Sequence, residues 1–251
     1  MRRNHNSGQI LLVAAFIMAS LLLSAQLYVL EVGKISGNME ADSLNDFVLS
    51  VKLGSRHVVV GSLANISNGG TNSILEFNLQ ELAEFIGRQF LSGKNVLNFT
   101  LEETLPYSSG ICLSWGANGY GVSSAYADFA YTLVGRETDV DTAYSINVTT
   151  ALLITSANRR LNETTRQVNV TINVLNEALP ARAEQITVYY EVSGTWLIPD
   201  DTNDYTLLDY GNGTYIASFT AAAPTPEVEV SVHATDFRGV YVQANVTSTE
   251  I

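Results

Sequence analysis

The chain has 251 residues, of which 15 % are charged, and its formal net charge is −12. A surface this acidic repels a phosphate backbone, and no basic stripe runs along the chain, so nucleic acid is excluded as a partner. Cys112 is the single cysteine, which rules out an intramolecular disulfide, and a chain of this length can be held by its hydrophobic core alone.

The first element along the chain is an uncharged apolar segment from Ile10 to Leu30. Its 21 residues would form a helix about 31 Å long, close to the thickness of the hydrocarbon layer of a membrane. Arg2 and Arg3 precede this segment and Glu31 follows it at once. The positive-inside rule keeps such an amino terminus in the cytoplasm and places the remainder outside. The sequence therefore predicts a single-pass protein of the cell membrane, with membrane lipid as a partner and extracellular C-terminal domains.

A cleaved secretory signal is disfavoured for this segment. Its apolar core is longer than the roughly 7–15 residues that a signal peptide uses. Leu22 and Leu23 also stand two residues before the small residues Ser24 and Ala25, where signal peptidase requires a small side chain. The segment is therefore expected to remain in the mature protein.

The residues just before the span have a recognisable order. Arg2 and Arg3 are followed by a short polar stretch, by Gly8 and Gln9, and then by the apolar run from Ile10. This order resembles the class III signal of archaeal type IV pilins, in which a prepilin peptidase cuts after a small residue on the cytoplasmic side. The resemblance implies a cut between Gly8 and Gln9, a cytoplasmic leader of residues 1–8, and prepilin peptidase and other pilin-like subunits as partners.

Two departures from the pilin pattern bear on this resemblance. Asn4 to Ser7 separate the arginines from Gly8, and Val13 stands where bacterial pilins carry an acidic residue, which fits the archaeal version better. The alternative is a plain single-pass anchor in which the Gly8–Gln9 pair is coincidental.

The transmembrane and stem helix is predicted over residues 9–54. Beyond the membrane, apolar residues continue three or four apart from Tyr28 to Val51, with polar residues between them. Gly33 and Gly37 oppose this helix, at about 1 kcal/mol each relative to alanine. A helix that leaves the bilayer and lies on a globular head resembles pilin architecture.

Residues 55–164 mix helix and strand, so this region is predicted to be a pilin-like α+β domain. The β-branched run at 57–63 predicts a short strand. Leucines and other apolar residues at helical spacing predict a helix after it, which Asn78 and Glu81 would begin as a capping box. Four strand-like runs follow, at 95–103, 110–116, 121–135 and 143–157.

Residues 165–251 are predicted to be all-β. Six alternating runs and a seventh at "TWLIP" are separated by turn residues, which is typical of an immunoglobulin-like sandwich. "LLDYGNGTYIASFTA" followed by "VEVSVHATDFRGVYV" resembles the Ig-like repeats of prokaryotic surface proteins, in which a Gly-Asn-Gly turn precedes an inward-facing Tyr. Here that turn is Gly211 to Gly213, and a second turn spans Asp236 to Gly239. Because the paired cysteines of antibody domains are missing, the resemblance implies only the general sandwich.

Seven Asn-x-Ser/Thr sequons are candidate N-glycosylation sites. Two of them, Asn162 and Asn212, are predicted to lie in turns, and the resemblance to archaeal surface proteins implies that some sequons are glycosylated. The seven are Asn65, Asn98, Asn147, Asn162, Asn169, Asn212 and Asn245.

No catalytic or cofactor motif appears, so no enzyme, cofactor or metal is expected. Cys112 is predicted to be a buried, inert thiol, and His233 a packed or surface side chain of a strand. The acidic runs at 136–142 and 199–204 offer oxygen ligands for Ca²⁺ but lack the spacing of a calcium loop. They are interpreted as solvated turns.

Two functions follow from this organisation. The first is a non-enzymatic cell-surface protein, anchored by its N-terminal helix and displaying its head for adhesion or envelope assembly. The alternative is a type IV pilin-like filament subunit, major or minor, and an extracellular enzyme is a distant third.

Overall fold

The computed structural model describes residues 46–89, 94–135 and 139–251. The chain divides into two compact units, one ending at Leu53 and the other running from Gly54 to Ile251. The predicted leader, the cleavage site at Gly8 and Gln9, and the apolar segment from Ile10 to Leu30 lie outside the described residues.

Helix α1 runs from Asp46 to Ser67. The prediction of a strand at 57–63 is therefore wrong, because these residues are helical. Their β-branched side chains favour a strand locally, but Val59, Leu63 and Ile66 fall on one helical face, and at most 2 % of each is exposed. Burial of that face outweighs the local preference. The helix ends before Gly69, whose φ of 101° is a left-handed value that few residues other than glycine adopt.

Helix α2 spans Ser73–Gln89 and buries Leu75, Leu79 and Ile86 at the predicted helical spacing. The prediction that it begins at Asn78 is wrong. Instead of capping a helix, the Asn78 side chain donates a hydrogen bond to the Ser62 hydroxyl of α1 over 2.9 Å. The residues of the capping-box pattern, Asn78 and Glu81, therefore lie inside α2, and Asn78 links the two helices.

Four strands follow the helices: β1 Lys94–Leu101, β2 Ile111–Trp115, β3 Tyr120–Val134 and β4 Asp139–Arg160. Strand β3 is central, because β4 lies along one of its edges while β1 and β2 share the other. One face of β3 is buried, and it includes Ala127, Phe129, Tyr131 and Leu133. All four strand predictions are confirmed.

The helices lie against this first group of strands. The Asn95 side chain of β1 donates to the carbonyl of Ile86 in α2 over 2.6 Å. Near the start of the second unit, the hydroxyl groups of Ser55 in α1 and Tyr144 in β4 are 2.9 Å apart.

The remaining strands match the seven predicted runs, with one short strand added. They are β5 Arg166–Asn176, β6 Leu179–Pro180, β7 Ala183–Val192, β8 Thr195–Leu197, β9 Thr206–Asp209, β10 Thr214–Ala221, β11 Val228–Asp236 and β12 Tyr241–Glu250. The fold of the described residues is thus mostly β.

These strands form two layers around one core. One layer has the order β4-β5-β10-β9 and the other β8-β7-β11-β12, and the parallel pairing of Thr249 and Glu250 with the end of β4 connects them into one sheet. Alternate residues of both layers point inward, as facing sheets require. The core includes Val168, Val170 and Ile172 of β5, Phe219 of β10, and Val230 and Val232 of β11.

Strand β4 is 22 residues long and serves both groups of strands. Residues 150–153 pair with β3 on one side and with β5 on the other. Leu152 and Ile154 belong to the same core as β5 and β10. The boundary at 164/165 remains a prediction, and the sandwich core already includes residues that precede it.

Candidate functional site

The membrane prediction has one counterpart among the described residues. Helix α1 is the helix in this part of the chain that is long and apolar enough to cross a membrane, judged by length and composition. This is compatible with a single-pass membrane protein. From Gly54 onward the helix also buries Val59 and Leu63 completely, so its apolar face serves the fold of the second unit.

The two sequons predicted to lie in turns do so. Asn162 lies between β4 and β5, where its side-chain oxygen accepts from the backbone N–H of Thr164 at 2.9 Å and of Thr165 at 2.8 Å. Asn212 lies between β9 and β10, where its side-chain oxygen accepts from the N–H of Thr214 over 3.1 Å. Both asparagines are exposed, so a transferase could reach them.

The other five sequons lie on regular elements. Asn98, Asn147 and Asn169 are exposed on strands, and Asn65 is exposed on the last turns of α1. Asn245 differs from them, because it is only partly exposed in β12. Its neighbours form the candidate site.

The sequence offers Cys112 as a thiol and two acidic runs as oxygen ligands for Ca²⁺. Cys112 is buried, with 6 % of its surface exposed, and burial raises the pKa of its thiol, which favours the unreactive form. Asp200 caps a short 3-10 helix, Asp201–Asn203, and hydrogen bonds from Thr202 lower its pKa. Within the described ranges no group of three or more His, Cys, Asp or Glu side chains is placed to hold a metal.

A pocket of about 300 Å³ opens on the outer face of the β8-β7-β11-β12 layer. Tyr189, Ser231 and Asn245 lie directly opposite one another on β7, β11 and β12. His233 and Gln243 form the next cross-strand pair. We call this site the aromatic pocket, and it is lined by Tyr189, Trp196, Ser231, His233, Gln243 and Asn245.

Contacts among the lining residues order this pocket. The ring centroids of His233 and Tyr189 are 4.5 Å apart. The Gln243 amide nitrogen donates to the Asn245 side-chain oxygen at 3.3 Å and to the Ser231 hydroxyl at 3.4 Å. A nitrogen of His233 is 3.2 Å from the same hydroxyl. Hydrogen-bonding groups are therefore arranged beside aromatic surface.

The lining of the aromatic pocket is uncharged at neutral pH. Burial lowers the pKa of His233, which keeps its imidazole neutral there. Glu191 lies opposite Trp196 across β7 and β8, but its carboxylate accepts the N–H of Gly194 over 3.0 Å. A charged ligand would thus find no charged partner among the lining residues.

The turn between β2 and β3 is hydrogen-bonded to the backbone of Asn245, a lining residue of the pocket. The N–H of Asn245 donates to the carbonyl of Gly116 over 3.0 Å, and the N–H of Gly119 donates to the carbonyl of Asn245 over 2.7 Å. The Trp115 ring meets the Tyr241 ring edge-on, with 5.2 Å between centroids. Two groups of strands predicted as separate domains are thereby joined at β12.

A polar cluster also joins β4 to the turn between β11 and β12. We call it the junction cluster and define it as Thr150, Glu177, Asp236 and Arg238. Asp236 is fully buried, and its carboxylate accepts from the Arg238 side chain at 2.8 Å and from the Thr150 hydroxyl at 2.9 Å. Arg238 also donates to Glu177 over 2.6 Å. Although burial lowers it, these hydrogen bonds to Glu177 and Asp236 raise the pKa of Arg238 above its ordinary value.

Sequence reasoning placed Asp236 and Arg238 in a turn and left His233 as a packed or surface residue, but it did not identify the aromatic pocket. Alternation in β7, β11 and β12 does indicate that Tyr189, His233 and Gln243 face away from the core. That signal gives the face of each residue, whereas their meeting depends on strand order and register.

No family model matches the chain, and a search of curated proteins finds no match. A proposal for the function of this chain therefore rests on its sequence and on the geometry of the described residues.

Proposed function

We propose that the chain is a non-enzymatic cell-surface protein that is anchored by its N-terminal apolar segment. It displays an Ig-like sandwich on a pilin-like α+β head, for adhesion or envelope assembly. The observation that carries this proposal is the order of the sandwich strands. The strand order β4-β5-β10-β9 in one layer corresponds to strands A, B, E and D of an Ig-like sandwich. The order β8-β7-β11-β12 in the other layer corresponds to strands C′, C, F and G.

Two local features support the Ig-like interpretation. Gly211 and Gly213 both have positive φ angles in the turn between β9 and β10, as a tight hairpin turn requires. Tyr215 directly after this turn is buried, as in the repeats that the sequence resembles. The pilin-like interpretation of the head is supported by the long helix α1 and the antiparallel group of strands with which it packs.

We expect the full chain, carrying a C-terminal epitope tag, to sediment with membranes and to resist extraction by alkaline carbonate. The tag should bind antibody on intact cells, because the positive-inside rule places the C-terminal domains outside. Membrane fractionation and surface labelling measure these two properties. A matched chain lacking residues 10–30 should leave the membrane fraction, and recovery of the unmodified chain in the cytosol would contradict the proposal.

The filament alternative has its own test, because only a processed stem can leave the bilayer. Under that alternative, intact-mass spectrometry of the membrane-purified chain should give a mature form that begins at Gln9. Gly8→Val should abolish this form, and with it any filament, while leaving the protein in the membrane. If the purified chain begins at Met1 or Arg2 and electron micrographs show no filaments, the filament alternative is contradicted. The anchored display protein is then the remaining function.

A further inference from the structure

We propose that the aromatic pocket binds one ring of an uncharged saccharide. This inference rests on the proposed function, since it gives the displayed sandwich a ligand class. The pocket is formed by the outer face of β7, β8, β11 and β12, which the hydrophobic core of the sandwich does not use.

The pocket presents aromatic surface to solvent. Trp196 is 45 % exposed on the short strand β8, and Tyr189 lies on the adjacent strand at the pocket. An aromatic face carries negative charge density and therefore attracts the weakly positive C–H groups of a pyranose ring. Trp and Tyr also supply contact area at low cost in side-chain entropy, which suits a binding surface.

The neutral polar groups of the pocket complement the hydroxyl groups of a sugar. Sugar hydroxyls both donate and accept, so a complementary site needs neutral groups of both kinds. The amides of Gln243 and Asn245 offer donors and acceptors together. Ser231 is only 3 % exposed, and its bonds to Gln243 and His233 hold these groups in a fixed arrangement. Such preorganisation reduces the entropy lost on binding.

The lining of the pocket disfavours other ligand classes. Phosphate and carboxylate ligands are bound most strongly by lysine or arginine, and the lining contains neither residue. A proline-rich peptide needs an extended aromatic groove. The pocket, at about 300 Å³, lies at the low end of the range for small-molecule sites, so it is suited to a single ring.

Saturation-transfer NMR on the full chain in phosphatidylcholine nanodiscs tests this proposal, because nanodiscs avoid detergents with sugar headgroups. The probes are the methyl glycosides of glucose, galactose, mannose and N-acetylglucosamine, with methyl glucuronide as the charged counterpart of the glucoside. We expect saturable binding of at least one neutral glycoside with a Kd of about 1 mM, and binding of the glucuronide at least about tenfold weaker.

Variants assign the binding to the pocket. Trp196→Ala should weaken binding at least about tenfold, whereas Trp196→Phe should retain most of it, because the ring face is kept. Tyr210 of the sandwich is 58 % exposed and lies outside the pocket. Tyr210→Ala should therefore have no effect on glycoside binding. Thr247→Ala removes the sequon without changing a lining residue, so retained binding would show that a glycan attached at Asn245 is not required. Near-ultraviolet circular dichroism checks that each variant is folded.

Several outcomes would overturn the proposal. One is the absence of binding by every neutral glycoside, and another is binding that Trp196→Ala leaves unchanged. A proline-rich decapeptide that binds in place of the glycosides would assign the pocket to a peptide ligand. None of these results alters membrane fractionation or surface labelling, so the failure of this inference is distinguishable from failure of the proposed function.

Discussion

Asp236→Ala is expected to lower the free energy of unfolding of the unit Gly54–Ile251 by about 3–5 kcal/mol. The Asp236 carboxylate is fully buried and also accepts from the backbone N–H groups of Arg238 and Val240, at 2.8 and 3.0 Å. Removing it strands those donors and the Thr150 hydroxyl, and it leaves a partly buried guanidinium with one carboxylate partner fewer. Breaking a buried ion pair costs more than the pair itself contributes, because Arg238 keeps Glu177 but loses a charge partner at a position where water replaces it only in part.

Urea denaturation followed by tryptophan fluorescence measures this change, since Trp115 and Trp196 both lie in the affected unit. Asp201→Ala is the matched control. It removes an exposed carboxylate from the 3-10 turn and should change stability by no more than about 0.5 kcal/mol. Equal, small effects of the two substitutions would show that the junction cluster does not hold β4 to the turn between β11 and β12.

Gly121→Ala is expected to destabilise the same unit by at least about 1–3 kcal/mol. A Cβ atom at Gly121 would lie 1.9 Å from the carbonyl oxygen of Gln243 and 2.8 Å from its carbon. Both atoms belong to the β12 backbone, so neither can rotate away as a side chain would. Strand β12 has to shift away from β3 to admit the methyl group.

Gly61→Ala is the matched control, and its expected effect has the opposite sign. Apart from the neighbouring backbone of α1 itself, no atom lies within 4 Å of a Cβ built at Gly61, which is inside this helix. Replacing a helical glycine by alanine should therefore stabilise the fold by about 0.5–1 kcal/mol. The same urea titration compares the two variants, and a stability of Gly121→Ala equal to that of the unmodified chain would contradict the close approach of β3 and β12.

Much of the sandwich follows from the sequence, because alternation and turn residues act over a few positions. The runs that became β5, β7 and β10 alternate apolar and polar residues, and a strand buries every second side chain. The turn at Gly211 to Gly213 was predictable for a similar reason, since glycine tolerates the backbone angles of a tight turn. A buried, inert thiol was also predicted for Cys112, because no histidine lies close to it in the sequence, whereas alternation alone left its facing open.

Tertiary structure decided the features that depend on distant partners. The β-branched residues at 57–63 became helical because one helical face, with Val59 and Leu63, is buried in the core of the unit, which a local propensity does not report. The capping pattern at Asn78 failed for a related reason, because its amide binds Ser62 on another helix. The aromatic pocket depends most on tertiary structure. Tyr189, Ser231 and Asn245 meet only because β7 pairs with β11, which lies beyond β8, β9 and β10 in the chain, and one residue of slip in that pairing would turn the side chains to the other face.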